Sequence, residues 1–221
     1  MALEDWTPIG KGSLLWRWRW GFLLVTLLTA FLFEPVLGES RPAGFVVLAL
    51  YFTVFSGTVR LSHLPKTLEI GCYGLLSVWF ALSLAQLLTE GGVNHLLLAL
   101  VTGMMALGAL YTTFTELLRR ETSTIDKLFA ALFGYFLIAL TLALLYVQIE
   151  AVRPGAFNLT SEKPDISEFL YFSLVTVTTL GYGEITPAIP LTRILAGLEA
   201  AFGTLYIAIL IGQIVGTMQR K

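Results

Sequence analysis

The residues with the most distinctive chemistry lie at 178–184, where the order Thr-Thr-Leu-Gly-Tyr-Gly-Glu places two glycines around a tyrosine. A short apolar segment precedes this Gly-Tyr-Gly segment, and a long apolar segment follows it. Backbone carbonyl oxygens can replace the water around a dehydrated cation when they line a pore. Carbonyls line one wall only if successive residues alternate in backbone handedness, and glycine adopts a positive φ most readily. Gly181 and Gly183 have the spacing that this alternation requires.

The longer string at residues 171–187 reads Tyr-Phe-Ser-Leu-Val-Thr-Val-Thr-Thr-Leu-Gly-Tyr-Gly-Glu-Ile-Thr-Pro. It closely resembles the pore helix and selectivity filter of potassium channels, whose filter reads Thr-Val-Gly-Tyr-Gly. A bare Gly-Tyr-Gly is a weak signal, because a turn in any membrane protein can carry it. The full string is far more specific, and the resemblance is close over about residues 125–218. Leu180 stands where Val is usual, and Glu184 stands where Asp is usual.

The resemblance implies a homotetramer with the pore on its four-fold axis, because one chain supplies one loop and a ring needs four. It implies K⁺ ligands at the carbonyls of Thr179, Leu180, Gly181 and Tyr182 and at the Thr179 hydroxyl, with Gly183 completing the filter. Thr178, Tyr171 and Glu184 would support the filter. The Tyr182 ring would brace the strand from behind, and Tyr171 would either donate to Glu184 or be an ordinary interfacial aromatic.

The resemblance also assigns roles to the long helix that follows the filter. Gly203 aligns with the hinge glycine of pore-lining helices, or it simply allows close helix packing. The residues expected at the inner cavity or gate are Thr204, Ile207, Ile211 and Val215. Glu199 is an acid deep in the same apolar helix, and such acids are rare and usually functional. Its helical angle predicts a place behind the filter, near the pore helix, where it accepts a hydrogen bond and is a candidate proton sensor.

The composition indicates a membrane protein, because 56% of the 221 residues are hydrophobic and only 13% are charged. Each predicted span has about the 20 residues needed to cross a bilayer. The predicted spans cover residues 16–37, 42–61, 67–88, 94–118, 125–149 and 189–218. The sequence therefore predicts an all-α membrane protein with six transmembrane helices, a re-entrant pore helix and a filter loop.

Three regions follow from this pattern. Residues 1–15 are predicted to be a cytoplasmic tail, residues 16–121 a four-helix transmembrane domain, and residues 122–221 the pore domain. The four-helix domain resembles a voltage sensor, but residues 94–118 contain no Arg or Lys. A voltage response needs several gating charges, each contributing about 2.3 kcal/mol per 100 mV. We therefore expect that this domain is not a working voltage sensor.

The basic residues predict the orientation of the chain. With both termini in the cytoplasm, ten of the fourteen Lys and Arg residues lie inside, as the positive-inside rule requires. The protein is therefore expected to be multi-pass in a plasma membrane or bacterial inner membrane. Trp16, Trp18 and Trp20 alternate with two arginines, a pattern that favours the membrane interface over nucleic-acid binding.

These observations predict a potassium-selective channel that conducts passively and is not gated by a voltage sensor. Its expected partners are the lipid bilayer, three further copies of itself and K⁺ as the permeant ion, with no cofactor, no nucleic acid and no catalytic site. The alternatives are a non-selective monovalent cation channel on the same fold, a potassium-uptake transporter subunit, and a non-conducting scaffold. Transporters usually show internal repeats and broken helices, and we find no repeat in this sequence.

Overall fold

The structure is a computed structural model that describes residues 18–37, 41–62, 64–89, 94–117, 124–159 and 165–218. Within these ranges the chain forms seven α-helices and one pair of two-residue strands. The predicted N-terminal tail, residues 1–15, lies outside them.

The helices follow the apolar runs of the sequence. Their bounds are α1 Arg19–Leu37, α2 Arg41–Leu61, α3 Lys66–Leu88, α4 His95–Leu117, α5 Thr124–Val152, α6 Ile166–Val177 and α7 Pro190–Met218. The strands are β1 Phe157–Asn158, between α5 and α6, and β2 Thr186–Pro187, between α6 and α7. The predicted spans agree with these helices to within a few residues at the ends that the structure describes.

The fifth helix is longer than the sequence predicted. Arg153 N–H still donates to Ile149 O at 2.9 Å, so the helical hydrogen bonds continue past residue 149. The chain then turns at Gly155, whose φ is +85°. The Glu150 carboxylate accepts the N–H groups of Gly155 at 2.7 Å and Phe157 at 3.0 Å, which satisfies two donors of this turn.

Among the described residues, four helices are long and apolar enough to cross a membrane, namely α2, α3, α5 and α7. In α1 and α4 the described apolar stretches, Arg19–Phe33 and His95–Ala109, are shorter than that. The twelve residues of α6 are too few for a span. The structure is therefore helical and membrane-like, with a short helix between its last two long ones.

A single hydrophobic core joins the first four helices to α5. Leu27 of α1, Val54 of α2, Leu98 of α4 and Leu137 of α5 are all fully buried members of it. α4 packs along α5 through an extensive set of contacts. The core therefore crosses the boundary at residues 121 and 122 that separates the two transmembrane regions predicted from the sequence.

The strand pair ties the segment before α6 to the segment after it. β1 and β2 are antiparallel, with Phe157 opposite Pro187 and Asn158 opposite Thr186. Asn158 Nδ2 donates to Thr186 Oγ1 at 2.9 Å. Nearby, Ala156 O accepts hydrogen bonds at 2.9 Å from the Ala188 N–H and the Thr192 hydroxyl. Both ends of the region that carries α6 and the Gly-Tyr-Gly segment are thereby fixed.

One stripe of α7 packs against the pair α5 and α6. Ala196, Glu199, Gly203 and Tyr206 recur at helical spacing and are all buried. A Cβ at position 203 would lie 2.1 Å from the carbonyl oxygen of Val177, the last residue of α6. The structure therefore accounts for a glycine here by close backbone packing, which was one of the two interpretations of Gly203.

We expect Gly203→Ala to destabilise the fold by about 1–3 kcal/mol, because the added methyl group meets rigid backbone. The matched control is Gly197→Ala in the same helix, where no atom lies within 4 Å of the new Cβ. The control should be neutral or more stable by up to about 1 kcal/mol, because alanine favours helix. The thermal unfolding midpoint in detergent is measured for both variants. Equal midpoints for Gly203→Ala and Gly197→Ala would contradict the packing interpretation.

Candidate functional site

The short helix α6 begins at a side-chain cap. Asp165 accepts the Glu168 N–H at 3.1 Å and the Ser167 hydroxyl at 2.7 Å, which satisfies a free donor of the first turn. Phe169 and Phe172 are buried beneath the helix and pack edge to face with Phe157 of β1. This packing fixes α6 against the strand pair.

The backbone of the Gly-Tyr-Gly segment alternates in handedness. Positive φ values occur at every second residue, at Thr179 (58°), Gly181 (57°) and Gly183 (84°). Thr179 is the one non-glycine residue with positive φ in the described part of the chain. Such a conformation is strained for a β-branched residue and costs of order 1–3 kcal/mol. The sequence predicted positive φ at the two glycines but not at Thr179, although the alternation itself extends to that position.

The N–H groups at the start of this segment turn back toward α6. Thr179 N–H donates to Thr176 O at 2.9 Å, and Leu180 and Gly181 both donate to Val175 O, at 2.9 and 3.3 Å. No described residue donates a hydrogen bond to a carbonyl oxygen of residues 179–182. Within the described part of the chain, residues 179–182 thus form a row of carbonyl groups without hydrogen-bond donors, and such groups can serve as ligands for a cation.

The C-terminal end of the Gly-Tyr-Gly segment is held by a tyrosine of α6. The Tyr171 hydroxyl donates to Glu184 Oε2 at 2.5 Å, and this hydrogen bond raises the pKa of Tyr171 to about 12. The rings of Tyr171 and Tyr182 are nearly parallel, with centroids 6.5 Å apart. The structure therefore brings together the three side chains that the sequence singled out as filter supports at this end. The Thr178 hydroxyl instead donates to Leu174 O at 2.7 Å and completes the last turn of α6.

The residue where α6 ends is held by both neighbouring helices. The Tyr135 hydroxyl of α5 donates to Val177 O at 3.0 Å, and Gly203 of α7 approaches the same carbonyl closely. Sequence reasoning missed Tyr135, because a tyrosine in an apolar span does not indicate which carbonyl its hydroxyl reaches. The end of α6, and with it the start of the Gly-Tyr-Gly segment, is fixed from behind.

Glu199 lies beside α6, in contact with Ser173. The side chain is buried, with 1% of its surface exposed. Glu199 Oε2 accepts the Tyr146 hydroxyl of α5 at 2.7 Å, and Oε1 contacts the Ser173 hydroxyl of α6. One carboxyl group therefore connects three helices. The sequence did not name either partner, and a proton-sensing role stays a hypothesis.

The expected cavity residues of α7 and its predicted hinge glycine differ in burial. Thr204, Ile207 and Ile211 are exposed in the single chain, whereas Gly203 belongs to the packed stripe. The side chain of Val215 lies outside the described part. The structure therefore leaves the first three free to face a cavity and separates Gly203 from them.

A family model described as an ion channel matches residues 100–220, just over half of the chain. The match begins within α4 and includes α5, the strand pair, α6, the Gly-Tyr-Gly segment and α7. The chain belongs to this ion channel family. Searches of curated proteins and of solved structures found no significant match.

Membership of the family identifies the protein as a membrane channel, with the lipid bilayer and permeant ions as its partners. The function of such a channel is the passage of ions rather than catalysis. The carbonyl groups of residues 179–182, for which the described residues supply no hydrogen-bond donor, lie within the matched region.

We expect Tyr171→Phe to shorten the time for which the open channel conducts, because the substitution removes the hydroxyl that holds Glu184 beside the Gly-Tyr-Gly segment. Current through the channel should decay several-fold faster during sustained opening, with little change in protein yield. Tyr111→Phe, at an exposed position of α4, is the matched control and should behave like the wild type. Equal decay rates in all three proteins would mean that the hydrogen bond does not stabilise the conducting form.

Proposed function

We propose that four copies of this chain form a potassium-selective channel. Each chain contributes six spans, a re-entrant α6 and one Gly-Tyr-Gly segment, with both termini in the cytoplasm. The observation that carries the proposal is the row of unpaired carbonyls at residues 179–182, built on alternating backbone handedness.

Potassium selection requires the protein to replace the ion's water shell. Carbonyl oxygens of suitable number, spacing and dipole strength can do so. The alternation at Thr179, Gly181 and Gly183 allows consecutive carbonyls to face one direction. The ion sites proposed here use the carbonyls of residues 179–182 together with the Thr179 hydroxyl. Intact Gly-Tyr-Gly favours potassium selectivity over the non-selective alternative, although Leu180 and Glu184 depart from the usual filter.

Four-fold assembly is proposed because one row of carbonyls forms only one wall of a cage. In the single chain Leu180 and Tyr182 are 56% and 63% exposed, which is high for residues of this size. Leu198, Phe202 and Leu205 on α7 are exposed as well. A ring of four chains around the carbonyl rows would cover such apolar surface and enclose the ion.

The remaining helices are proposed to form a packing domain rather than a voltage sensor. Residues 16–121 would supply four spans and residues 122–221 the pore. α4 contains no Arg or Lys, so a change in membrane potential has no gating charge on this helix to move. The shared core of α1 to α4 with α5 supports a scaffold that holds the outer side of the pore.

We expect purified protein in a planar bilayer, with K⁺ on one side and Na⁺ on the other, to reverse near the potassium equilibrium potential. Open probability should be nearly flat across a voltage ramp, because α4 lacks gating charges. Single-channel current is the measurement.

Each other outcome contradicts a stated part of the proposal. A reversal near zero would favour a non-selective cation channel. Flux without unitary currents would favour a transporter subunit, and no flux at all would favour a non-conducting scaffold. A steep voltage response would contradict the packing role of the first four helices.

We expect Gly183→Ala to abolish potassium selectivity or conduction, because alanine at φ +84° is strained and would rotate a carbonyl of the row. Gly155→Ala is a closely matched control. Its φ is +85° and, as at Gly183, no atom lies within 4 Å of the new Cβ, so both variants bear a similar strain of at least about 1 kcal/mol.

Gly155 lies in the outer turn after α5, away from the carbonyl row. Gly155→Ala should therefore lower thermal stability slightly and keep the reversal potential of the wild type. An equal loss of selectivity in both variants would show that general instability, and not the geometry of the Gly-Tyr-Gly segment, determines the result.

A further inference from the structure

The polar cluster around Glu199 contains more contacts than its two hydroxyl groups have protons. Tyr146 Oη lies 2.7 Å from Glu199 Oε2. Ser173 Oγ contacts Glu199 Oε1 and also lies 2.8 Å from Ala139 O of α5. These are three oxygen-to-oxygen contacts, and each needs one proton to be attractive.

An ionised Glu199 supplies no proton to the cluster. Tyr146 and Ser173 each carry one hydroxyl proton, so one of the three contacts would then bring two lone pairs together. A neutral Glu199 supplies the third proton. In that state Glu199 donates to Ser173, Ser173 donates to Ala139 O, and Tyr146 donates to the remaining carboxyl oxygen, so every contact is a hydrogen bond.

The surroundings of Glu199 contain no compensating charge among the described residues. Its hydrogen-bond partners are hydroxyl groups, and no cation perturbs it. The other ionisable groups facing this region are tyrosines, Tyr135 on α5 and Tyr206 on the buried stripe of α7, whose hydroxyls donate to carbonyl oxygens. A buried carboxylate without a cation is strongly disfavoured, in agreement with the proton count.

We infer that Glu199 is held as a neutral carboxylic acid and acts as a positioning residue for the Gly-Tyr-Gly segment. Its proton completes a chain of hydrogen bonds from α7 through Ser173 of α6 to Ala139 of α5. Loss of that proton forces Ser173 to donate to the carboxylate and to release Ala139 O. α6 leads directly into the Gly-Tyr-Gly segment, so ionisation of Glu199 loosens the helix that presents the carbonyl row.

The protonation state is tested by infrared spectroscopy of the full-length protein in lipid at neutral pH. The wild type should show a carbonyl stretch of a protonated carboxylic acid that shifts in heavy water, and Glu199→Gln should lack it. Absence of such a band from the wild type would overturn the inference. This readout involves no ion flux, so its outcome is independent of the channel's ion selectivity.

A second variant keeps the test decisive if Glu199→Gln fails to fold. Tyr146→Phe removes the donor to the carboxyl C=O but retains the link through Ser173 to Ala139. The carboxylic acid band should therefore remain and move to higher wavenumber, whereas Tyr111→Phe should leave it unchanged. A carboxylic acid band that keeps its position in Tyr146→Phe does not come from Glu199.

The positioning role, which rests on the proposed function, is tested by the pH dependence of current. From about pH 6 to about pH 10, a range that brackets the ionisation of buried carboxyls in proteins, wild-type current should fall several-fold. Glu199 is neutral at the low end and ionised at the high end, so the hydrogen-bond chain is lost as pH rises. Glu199→Gln cannot ionise and should stay flat. The same profile in both proteins would refute the role, even if the infrared band is present.

Discussion

Backbone carbonyls inside a membrane must find partners within the protein, because lipid offers no hydrogen bonds. Within the described part of the chain, the carbonyls of residues 179–182 have no such partner, so other contacts must fix the conformation of this segment. Its conformation cannot be maintained by a ladder of carbonyl acceptors, as it is in a helix or sheet. It depends instead on N–H groups that bond back to Val175 and Thr176, and on side chains that hold each end. A strained threonine at position 179 persists only because this surrounding structure determines its position.

The same requirement explains the contacts of α6. Its first turn is capped by Asp165, its middle is bonded through Ser173 to both α5 and α7, and its last carbonyl, at Val177, meets Tyr135 and Gly203. A twelve-residue helix has little stability of its own in isolation. Here contacts at its first turn, its middle and its last residue fix the helix, and they also hold the start of the Gly-Tyr-Gly segment that follows it.

Sequence reasoning located the helices well, because apolar runs of membrane length specify spans whatever the tertiary packing. It also found Gly181 and Gly183, because a positive φ has a strong residue preference. The positive φ of Thr179 escaped it, because residue preference opposes that conformation and only the regular alternation favours it. Tyr135 and Tyr146 escaped it for a different reason. The carbonyl or carboxyl group that a tyrosine hydroxyl reaches depends on how helices far apart in sequence pack together.

The packing of α4 along α5 bears on how the protein is made. Six residues separate the two helices, and a chain of that length reaches at most about 20 Å. A newly synthesised chain can therefore bury α5 against its own first four helices before it meets another copy. In the proposed ring of four chains, biogenesis would then divide into two stages, folding within one chain and docking of folded subunits through the Gly-Tyr-Gly segment and α7.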